Sequence, residues 1–443
     1  MNMRVLIISN NSFSNVYNNG KTLEAIFSAF PIDDLAQLFF HEESTPDFLF
    51  CKRYWKISEL DIIKSIIKKK ECIGNKIVQS SETIPRIDEK KYPFALRFIR
   101  EKTGNYLRNI LWRICRWESP ALIEWVKSFD PHVVFLVGSS ASFTSNVALR
   151  ISSLINRPLV VYYTDDYLFS LSTTNYIKKR EYKRVESLYR KVIEASSAQF
   201  VIGELMAKEY SKYFDKEFIP IMNSVPITKY NEYHNNSKIE MAYFGGLHLN
   251  RWKMIARLAK LLPNDCSIAV YSAQSSMNEI IRREFKESGV KYKGTLLGDD
   301  LKEAMIGADI LLHVESDDEK NRRFTRLAVS TKIPEYLITG RPVLGFGPED
   351  VASMKILSDN SVGFVISSDD SDMSVKNLLQ GFINDYDKRR AFGRKGYEFA
   401  KEKFDIKVNS HNLLRVCQIL LKSNMYHEDR VGIIEEKRDE MRK

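Results

Sequence analysis

Lys332 and Glu335 stand three residues apart in the segment STKIPEYL. Pro334 within this segment and Gly340 after it predict a short helix. The N-terminus of such a helix presents unpaired N–H groups that suit an anion such as a diphosphate, and Lys332 adds a positive charge. Glu335 can accept hydrogen bonds from ribose hydroxyls. The alternative is that Glu335 only favours the first helical turn and that Lys332 is solvated.

Two adjacent carboxylates, Asp165 and Asp166, follow the apolar run from Leu159 to Tyr163. This run predicts a buried strand, and doubly wound sheets bind ligands at the carboxyl ends of their strands. A carboxylate there can orient an acceptor hydroxyl or stabilise positive charge that develops at a reacting carbon. Aspartate is equally suited to capping the next helix. We therefore expect one catalytic and one capping residue, and the sequence does not say which is which.

Several catalytic and cofactor motifs are missing from the sequence. No GxGxxG follows the first apolar strand and no GxxxxGK[ST] occurs, although Gly20-Lys21-Thr22 ends like one. HExxH and GxSxG are also absent, and the five scattered cysteines contain no CxxC pair. These absences argue against a nucleotide-dependent dehydrogenase, a P-loop enzyme, a zinc site and a serine hydrolase.

The candidate residues lie on a chain that alternates strands with helices. Apolar runs of strand length begin at Val5, Val133 and Leu159, and each leads into a polar loop and an apolar-periodic helix. The alternation restarts at IEMAYFGGL, after an Asn-rich stretch. Continuous apolar strands are typical of parallel sheets that are covered by helices on both faces. The predicted fold class is α/β, with two Rossmann-like doubly wound domains facing a central cleft.

The predicted boundaries follow these changes of pattern. They are an N-terminal domain over residues 1–225, a linker over 226–238, a C-terminal domain over 239–405, and a C-terminal helix with a charged tail over 406–443. The last segment is expected to pack back on the N-terminal domain.

Composition supports a globular, water-exposed chain. Of the 443 residues 44% are hydrophobic and 28% are charged, which excludes a disordered or collagen-like protein. The 67 basic and 57 acidic residues give a net charge of +10, which suits nucleic acid, an anionic membrane or phosphate-bearing ligands without choosing among them. No apolar run is long enough for a spanning helix, and an odd number of cysteines favours a reducing compartment. We expect a cytoplasmic location.

Three motifs in order resemble the C-terminal domain of retaining GT-B glycosyltransferases, in particular glycosyltransferase family 4. They are AYFGGLHLNR, then YKGTL with LKEAMIGADILLHVE, then STKIPEYLITGRPVLGFG, and the resemblance spans residues 240–366. The resemblance implies a nucleotide-sugar donor bound by the C-terminal domain, an acceptor bound by the N-terminal domain, and transfer that requires no metal or other cofactor.

The resemblance also implies roles for individual residues. Glu335 matches the glutamate that binds the nucleotide ribose, and Arg251 matches the basic residue that faces the donor diphosphate. Lys332 is a nearby second cation, although many members place their second lysine where this chain has Lys253. Gly20 matches a glycine that lets the backbone approach the donor phosphate and the acceptor.

The glycines before Arg251 allow a second interpretation. Gly245 and Gly246 match the donor-site loop of the family, but they equally suit any tight turn between a strand and a helix.

One position departs from the family pattern. Members often carry a second glutamate, near the donor sugar, eight residues before the ribose glutamate, where this chain has Leu327. Either the loop is rearranged, with His313, Glu315 or Arg326 near the sugar, or the donor carries an acidic group. A lone histidine inside DILLHVE is more often a core residue than a ligand contact.

Residues 90–117 form a basic, aromatic region with eight basic residues and one acidic residue, Glu101. Helical periodicity places Arg108, Trp112, Arg113 and Arg116 on one face, which suits attachment to an anionic membrane surface. The alternative is a surface helix with solvated arginines. No nucleic-acid motif accompanies the region, so we expect no nucleic-acid partner.

The predicted function is that of a glycosyltransferase of the hexosyltransferase type that serves bacterial-type surface polysaccharide synthesis. Its partners would be a nucleotide-sugar donor and a glycan or lipid-linked acceptor, with peripheral attachment to the inner face of the cell membrane as a further possibility. The alternatives are a non-catalytic GT-B-like binding protein, which Leu327 favours, and a nucleotide-sugar epimerase.

Overall fold

The computed structural model describes residues 2–13, 18–41, 46–68, 74–78, 105–139, 141–170, 176–234 and 238–440. The strands are β1 (Val5–Ser9), β2 (Leu35–Phe39), β3 (Arg53–Lys56), β4 (Asn75–Ile77), β5 (Val133–Val137), β6 (Leu159–Tyr163), β7 (Ser196–Val201), β8 (Ile219–Pro220), β9 (Ile239–Phe244), β10 (Cys266–Tyr271), β11 (Lys291–Gly294), β12 (Ile310–Val314), β13 (Val343–Gly347) and β14 (Phe364–Ser367). The α-helices are α1 (Asn18–Phe27), α2 (Glu59–Lys68), α3 (Asn105–Ile114), α4 (Pro120–Phe129), α5 (Ser142–Ile155), α6 (Tyr176–Ala195), α7 (Glu204–Phe214), α8 (Arg251–Lys260), α9 (Glu279–Ser288), α10 (Gly298–Gly307), α11 (Glu319–Thr325), α12 (Lys332–Leu337), α13 (Ala352–Asp359), α14 (Asp372–Asn384), α15 (Tyr386–Lys403) and α16 (Ile406–Glu440).

The strands form two separate sheets, one in each domain. Among the described residues the first sheet has the order β4-β3-β2-β1-β5-β6-β7-β8 and the second has the order β11-β10-β9-β12-β13-β14. Every pairing is parallel except that of β3 with β4. Apolar, fully buried runs such as β5 and β6 form these sheets because helices cover both faces. The predicted α/β class with two doubly wound domains is confirmed.

The strand order reverses once in each sheet. In the first sheet the reversal lies between β1 and β5, and in the second between β9 and β12. The loops after the two central strands diverge at such a point, which leaves a crevice at the carboxyl ends. Each domain is therefore expected to have one crevice in which a ligand can bind.

The chain crosses between the domains at two adjacent places. Val225 forms a parallel bridge with Asp405, and its N–H donates to the carbonyl of Phe404 at 2.8 Å. Beyond this bridge α16 packs along α1, and Leu413, Cys417 and Leu421 join the core of the N-terminal domain. The C-terminal helix is thus part of the N-terminal domain in space.

A short segment of the C-terminal domain also enters the N-terminal core. Leu327 and Val329 belong to the same buried cluster as the first sheet. Beside them the guanidinium of Arg326 pairs with the carboxylate of Glu209 on α7, with Nη2 at 2.6 Å from Oε2. Leu327, at which the sequence lacks an expected carboxylate, is here a packing residue.

The face predicted for the basic helix is wrong at Arg108, Trp112 and Ile114, whereas Leu111 and Trp117 of the predicted apolar face do pack against the core. Trp112 is only 4% exposed, because its ring stacks on Phe143 at 4.2 Å, whereas Ile114 is 63% exposed. Arg108 lies inside the domain, with its Nε 2.7 Å from the carboxylate of Glu59. Residues 90–104 of the predicted basic region lie outside the described residues. Among its described arginines, Arg113 and Arg116 are exposed.

None of the helices within the described ranges combines the length and the apolar character needed to cross a bilayer.

Candidate functional site

A cavity of about 310 Å³ lies between the two domains, and we call it the interdomain cavity. The N-terminal domain contributes Thr22, Asp165 and Asn223 to its wall, among others. The C-terminal domain contributes the loop after β9, the end of β12 and the start of α12. Residues predicted from three separate parts of the sequence therefore meet at one place.

The loop after β9 forms one wall of this cavity. Gly245 has φ 152°, a conformation that favours glycine, and the hydroxyl of Tyr243 donates to the carbonyl of Gly246 at 2.8 Å. Leu249 and Asn250 both have a left-handed backbone, at φ 58° and 60°. Non-glycine residues adopt this conformation at a cost and concentrate at functional sites. The loop brings Arg251, the first residue of α8, to the wall.

Arg251 and Glu315 form a buried, two-point ion pair at this wall. Arg251 Nη2 lies 2.9 Å from Glu315 Oε2 and 3.2 Å from Oε1, and Nε lies 3.3 Å from Oε2. The side chains are 15% and 3% exposed. Burial is the largest single effect and raises the pKa of Glu315, but the charges and hydrogen bonds of Arg251 and His313 together outweigh it and hold this pKa below its usual value. Glu315 is therefore ionised when the cavity is empty.

Two histidines lie next to this ion pair. The Nε2 atom of His313 is 3.4 Å from Glu315 Oε1, and His313 is 4% exposed yet lines the cavity. The Nε2 atom of His248 is 3.3 Å from Arg251 Nη1. Two imidazoles, one guanidinium and one carboxylate thus share a space that a polar ligand can reach.

Lys332 and Glu335 are paired with each other at the start of α12. Lys332 Nζ lies 2.7 Å from Glu335 Oε2, and the side chains are 22% and 25% exposed. Lys332 lines the cavity, and Glu335, its ion-pair partner, lies next to the wall without being part of it. Gly340, at φ 73°, ends the turn after α12, as its position in the sequence predicts.

The predicted anion site at the N-terminus of α12 needs a correction. The helix has only six residues, and the N–H of Lys332 already donates to Ser330 Oγ at 3.3 Å. A helix this short supplies little dipole, so the side chains of Lys332 and Arg251 are the positive groups that face the cavity.

The structure distinguishes the two adjacent aspartates. Asp165 lines the cavity and accepts hydrogen bonds from Tyr167 at 3.0 Å and Thr164 at 3.2 Å. Burial raises its pKa above the usual value, against the opposing effect of these two bonds. Asp166 is fully buried and accepts from the N–H groups of Leu168 and Phe169, both at 2.9 Å. Asp166 is therefore the structural residue, but it closes the turn after β6 and does not cap a helix, since the next helix of the described residues begins at Tyr176, and Asp165 faces the cavity.

Other predicted residues lie outside the cavity wall. Gly20 is buried in α1, and Thr22, two residues later, takes the place at the wall. Lys253 is exposed, with its ammonium 5.5 Å from the centroid of the Trp252 ring. Arg326 pairs with Glu209 across the domains instead of facing the cavity.

Sequence reasoning missed the residues that hold the wall in place. The hydroxyl of Tyr336 accepts from the N–H of Phe244 at 2.9 Å, which ties α12 to the end of β9. Thr22 Oγ1 donates to Asn223 Oδ1 at 2.7 Å, which ties α1 to the chain that leaves the first domain. Tyr336 lies inside STKIPEYL, so the motif could have indicated it. Thr22 and Asn223 lie 201 positions apart, and no sequence pattern predicts that they form a pair.

A metal centre finds no support among the described residues. Nowhere in the described ranges do three or more histidine, cysteine, aspartate or glutamate side chains gather in a way that could hold a metal ion.

The comparisons identify the fold. No protein-family model matches the sequence, and no curated protein matches it either. Among solved structures, the chain is similar to HepE of Anabaena in complex with UDP and glucose, with a TM-score of 0.59 and 13% identity over 94% of this chain and 99% of that one. It is also similar to sucrose-phosphate synthase of Thermosynechococcus elongatus, with a TM-score of 0.61 and 11% identity over 95% and 100%.

A third similar structure is WaaG, a glycosyltransferase involved in lipopolysaccharide biosynthesis, with a TM-score of 0.56 and 12% identity over 94% of this chain and 99% of that one. Likenesses at this level of identity establish the architecture. The chain has the GT-B fold of two facing Rossmann-like domains.

Proposed function

We propose that this chain is a glycosyltransferase that moves a sugar from a nucleotide-sugar donor to a glycan or lipid-linked acceptor. The observation that carries the proposal is the pairing of groups across the interdomain cavity. Arg251, Lys332 and the carboxylate of Glu315 lie on the wall of the C-terminal domain, with Glu335 paired to Lys332 beside it, and the Asp165 carboxylate lines the cavity from the N-terminal domain. A diphosphate, a ribose and a reacting hydroxyl need these groups in this arrangement.

In the proposed donor site, the partners of the Arg251–Glu315 and Lys332–Glu335 ion pairs exchange their contacts with one another for contacts with the nucleotide sugar. Arg251 and Lys332 bind the diphosphate and neutralise the charge that builds up on the leaving group. Glu335 exchanges its bond to Lys332 for bonds to the ribose hydroxyls. Glu315 and His313 hold the sugar hydroxyls from the end of β12, in the absence of a carboxylate at Leu327. Because side chains supply the charge, the proposed reaction needs no metal or other cofactor.

The reaction exchanges one bond to the anomeric carbon for another. The acceptor oxygen forms the new bond, and the bond from this carbon to the diphosphate breaks with its electron pair leaving on the phosphate oxygen. Asp165 accepts the proton of the acceptor hydroxyl, and its raised pKa makes this carboxylate a stronger base than a solvated aspartate. The proposed outcome is retention of configuration, which NMR of the product would establish.

The first test is the binding of nucleoside diphosphates. Thermal unfolding in the presence of UDP, GDP or dTDP should show a rise in Tm with one of them, because a ligand of the native state stabilises by RT ln(1 + [L]/Kd). A panel of the corresponding sugar nucleotides should then release that diphosphate. No stabilisation by any of the three would overturn the proposal, and binding without any release would favour a non-catalytic binding protein.

The ribose contact has its own test. We expect the wild type to prefer the ribonucleoside diphosphate over its 2′-deoxy and 3′-deoxy forms, and Glu335→Gln to lose about tenfold in affinity together with this preference. A matched control is Glu398→Gln, because Glu398 pairs with Lys401 at the same spacing on an exposed helix face. If Glu335→Gln still preferred the ribonucleoside diphosphate over its deoxy forms, Glu335 would not be the residue that binds the ribose.

Attachment to an anionic membrane stays a prediction from the sequence. The exposed Arg113 and Arg116 would contribute to it, whereas the buried Trp112 would not.

A further inference from the structure

A second, smaller cavity of about 90 Å³ lies in the N-terminal domain. It opens at the carboxyl ends of β1 and β5, where the order of the first sheet reverses and a crevice is expected. Ser9 and Asn10 line it from the end of β1, Gly138 and Ser139 line it from the end of β5, and Tyr167 closes one side. We call it the β1/β5 cavity.

The lining of the β1/β5 cavity is polar and almost uncharged. The amides of Asn10 and Asn11 and the hydroxyls of Ser139 and Tyr167 can both donate and accept hydrogen bonds. Among the described lining residues Arg108 is the one charged side chain. Such a wall matches the vicinal hydroxyls of a polyol, which also donate and accept.

The charge of Arg108 is already compensated. Its Nε lies 2.7 Å from Glu59 Oε1, and the two side chains are 14% and 19% exposed. Its Nη1 donates to Asn10 Oδ1 at 2.9 Å and its Nη2 to the carbonyl of Phe40 at 3.3 Å. An anionic group in the cavity would have to compete with Glu59 for this guanidinium, and breaking a shielded ion pair is costly. The cavity therefore favours a neutral guest over an anionic one.

Tyr167 connects the β1/β5 cavity to the interdomain cavity. Tyr167 lines the first cavity, its hydroxyl donates at 3.0 Å to Asp165 Oδ2, and Asp165 lines the second cavity. A hydroxyl bound beside Tyr167 can donate to the phenol oxygen, which still has lone pairs to accept. A neighbouring hydroxyl of the same guest then lies toward Asp165.

We infer that the β1/β5 cavity binds an uncharged, hydroxyl-bearing edge of the acceptor, such as two adjacent hydroxyls of a sugar ring, and that Tyr167 is a positioning residue that holds Asp165 toward it. This inference rests on the proposed function, which it deepens by assigning the chemical class of the acceptor. A water occupies about 30 Å³ in the liquid, so the cavity takes a group of a few heavy atoms and leaves the rest of the acceptor outside.

The first experiment asks which class of acceptor the β1/β5 cavity binds, by comparing neutral with anionic acceptors. With the sugar nucleotide that the donor panel identifies, the release of nucleoside diphosphate is measured with methyl hexopyranosides, with the corresponding hexuronates and with hexose phosphates. We expect acceleration by at least one neutral glycoside and none by its charged counterparts. Equal or greater acceleration by a charged counterpart, or no acceleration by any neutral glycoside, would overturn the inference.

A variant of the wall shows where the glycoside binds. Asn10→Ala should raise the half-saturating glycoside concentration about two- to tenfold, the effect of one lost hydrogen bond, while the affinity for the nucleoside diphosphate stays unchanged. The matched control is Asn146→Ala, because Asn146 lies exposed on α5 outside the cavity. If Asn10→Ala kept both the half-saturating glycoside concentration and the Tm of the wild type, the glycoside would bind outside the β1/β5 cavity.

Tyr167→Phe separates a positioning role from a structural one. Loss of the phenol donor should raise the pKa of Asp165, so the acid limb of the rate profile should move to higher pH while the KM for the donor stays constant. Tyr162 and Tyr189 also face Asp165 and have pKa values far above neutral, and His248, Arg251, His313, Glu315 and Lys332 face it across the interdomain cavity. Tyr167→Phe alters none of these groups, so the difference between the wild-type and variant profiles reports the loss of the phenol donor. An unshifted acid limb would overturn the role of Tyr167.

Failure of this inference is distinct from failure of the proposed function. If no nucleoside diphosphate stabilised the protein, both the proposed function and the acceptor subsite would be refuted. If one of them stabilised the protein and was released from its sugar nucleotide, but no neutral glycoside accelerated this release, only the acceptor subsite would be refuted.

Discussion

Arg251 and Glu315 illustrate how one residue can serve both stability and ligand binding. Arg251 begins α8 and Glu315 follows β12, so the pair joins two elements of the second sheet at the cavity wall. Removing one partner of a shielded pair leaves an uncompensated charge, whereas removing both charges together does not. Stability and donor binding can therefore be separated by mutation.

We predict that Arg251→Ala lowers the free energy of unfolding by about 3–5 kcal/mol and also lowers affinity for the nucleoside diphosphate at least about tenfold. The double variant Arg251→Ala with Glu315→Gln should recover most of the stability but not the affinity. Urea unfolding and diphosphate titration of both variants check this. Recovery of affinity in the double variant would show that Arg251 acts only by neutralising Glu315.

Glu24 on α1 is a second residue whose charge affects stability. It is 8% exposed, and its Oε1 atom has no hydrogen-bond partner among the described residues. Burial, with a smaller effect from Asp47, raises its pKa from 4.5 to about 7. The folded chain therefore holds a proton that the unfolded chain releases between these pH values.

We predict that the folded chain loses stability as pH rises from about 4.5 to about 7, because the raised pKa makes ionisation of Glu24 unfavourable in the fold. At 1.4 kcal/mol per pKa unit the loss is at most about 3 kcal/mol. Glu24→Gln should raise Tm at pH 8 and leave it almost unchanged at pH 4. The control Glu194→Gln alters an exposed carboxylate and should change Tm at neither pH. Equal changes in both variants would contradict the assignment.

At the scale of elements, the turn after β6 shows that neighbouring residues of one type can have different tasks. Asp166 points into the domain, where Tyr210 also donates to it at 3.0 Å, and Asp165 points to the cavity. Because successive side chains at the end of a strand face opposite sides, one of two adjacent residues tends to be structural.

We predict opposite consequences for the two aspartates. Asp166→Ala should lower the free energy of unfolding by about 1–3 kcal/mol, because two backbone N–H groups and a buried hydroxyl lose their acceptor. Asp165→Asn should keep the stability and reduce kcat at least about a hundredfold, the contribution expected of a general base. Thermal unfolding and initial rates measure both effects. An active, stable Asp166→Ala together with an active Asp165→Asn would refute both roles.

At the scale of the whole molecule, the two domains are held by close packing as well as by charge. A side chain on Gly203, at the start of α7, would place its Cβ 2.7 Å from Val329 of the other domain. The backbone of Gly203 is extended, so only this contact restricts the position. Val329 continues into the segment that carries Ser330 and Lys332 to the cavity wall.

We predict that Gly203→Ala weakens affinity for the nucleoside diphosphate several-fold, because the added methyl group displaces Val329 and the segment beyond it. The double variant Gly203→Ala with Val329→Ala should restore affinity, since the second change removes the contacting methyl groups. Gly381→Ala is the matched control, because a Cβ there meets nothing within 4 Å. Titrations of the three variants measure this. Equal losses in the single and double variants would show that the contact does not position the wall.

The sequence by itself determined the features that depend on neighbours along the chain. Apolar runs such as Val133–Val137 had to become buried strands, and Gly340 had to end a helix, because these outcomes depend on local burial and backbone conformation. It did not indicate β2, β3 or the antiparallel β4, whose short runs pair only when the rest of the sheet is present. It also placed Trp112 on the polar face of its helix and Ile114 on the apolar face, whereas Trp112 is buried and Ile114 is exposed.

Only the tertiary structure decided which polar residues meet. Arg251 with Glu315 and Thr22 with Asn223 lie 64 and 201 residues apart, and periodicity carries no information about such pairs. The order of the strands decided that the ends of β6, β9 and β12 open on one cavity, and that the arginine predicted for a membrane-facing surface, Arg108, lies instead in the β1/β5 cavity. A helix exposes whichever face its neighbours leave uncovered, and the stacking of Trp112 on Phe143 is a property of the packed domain, not of the helix alone.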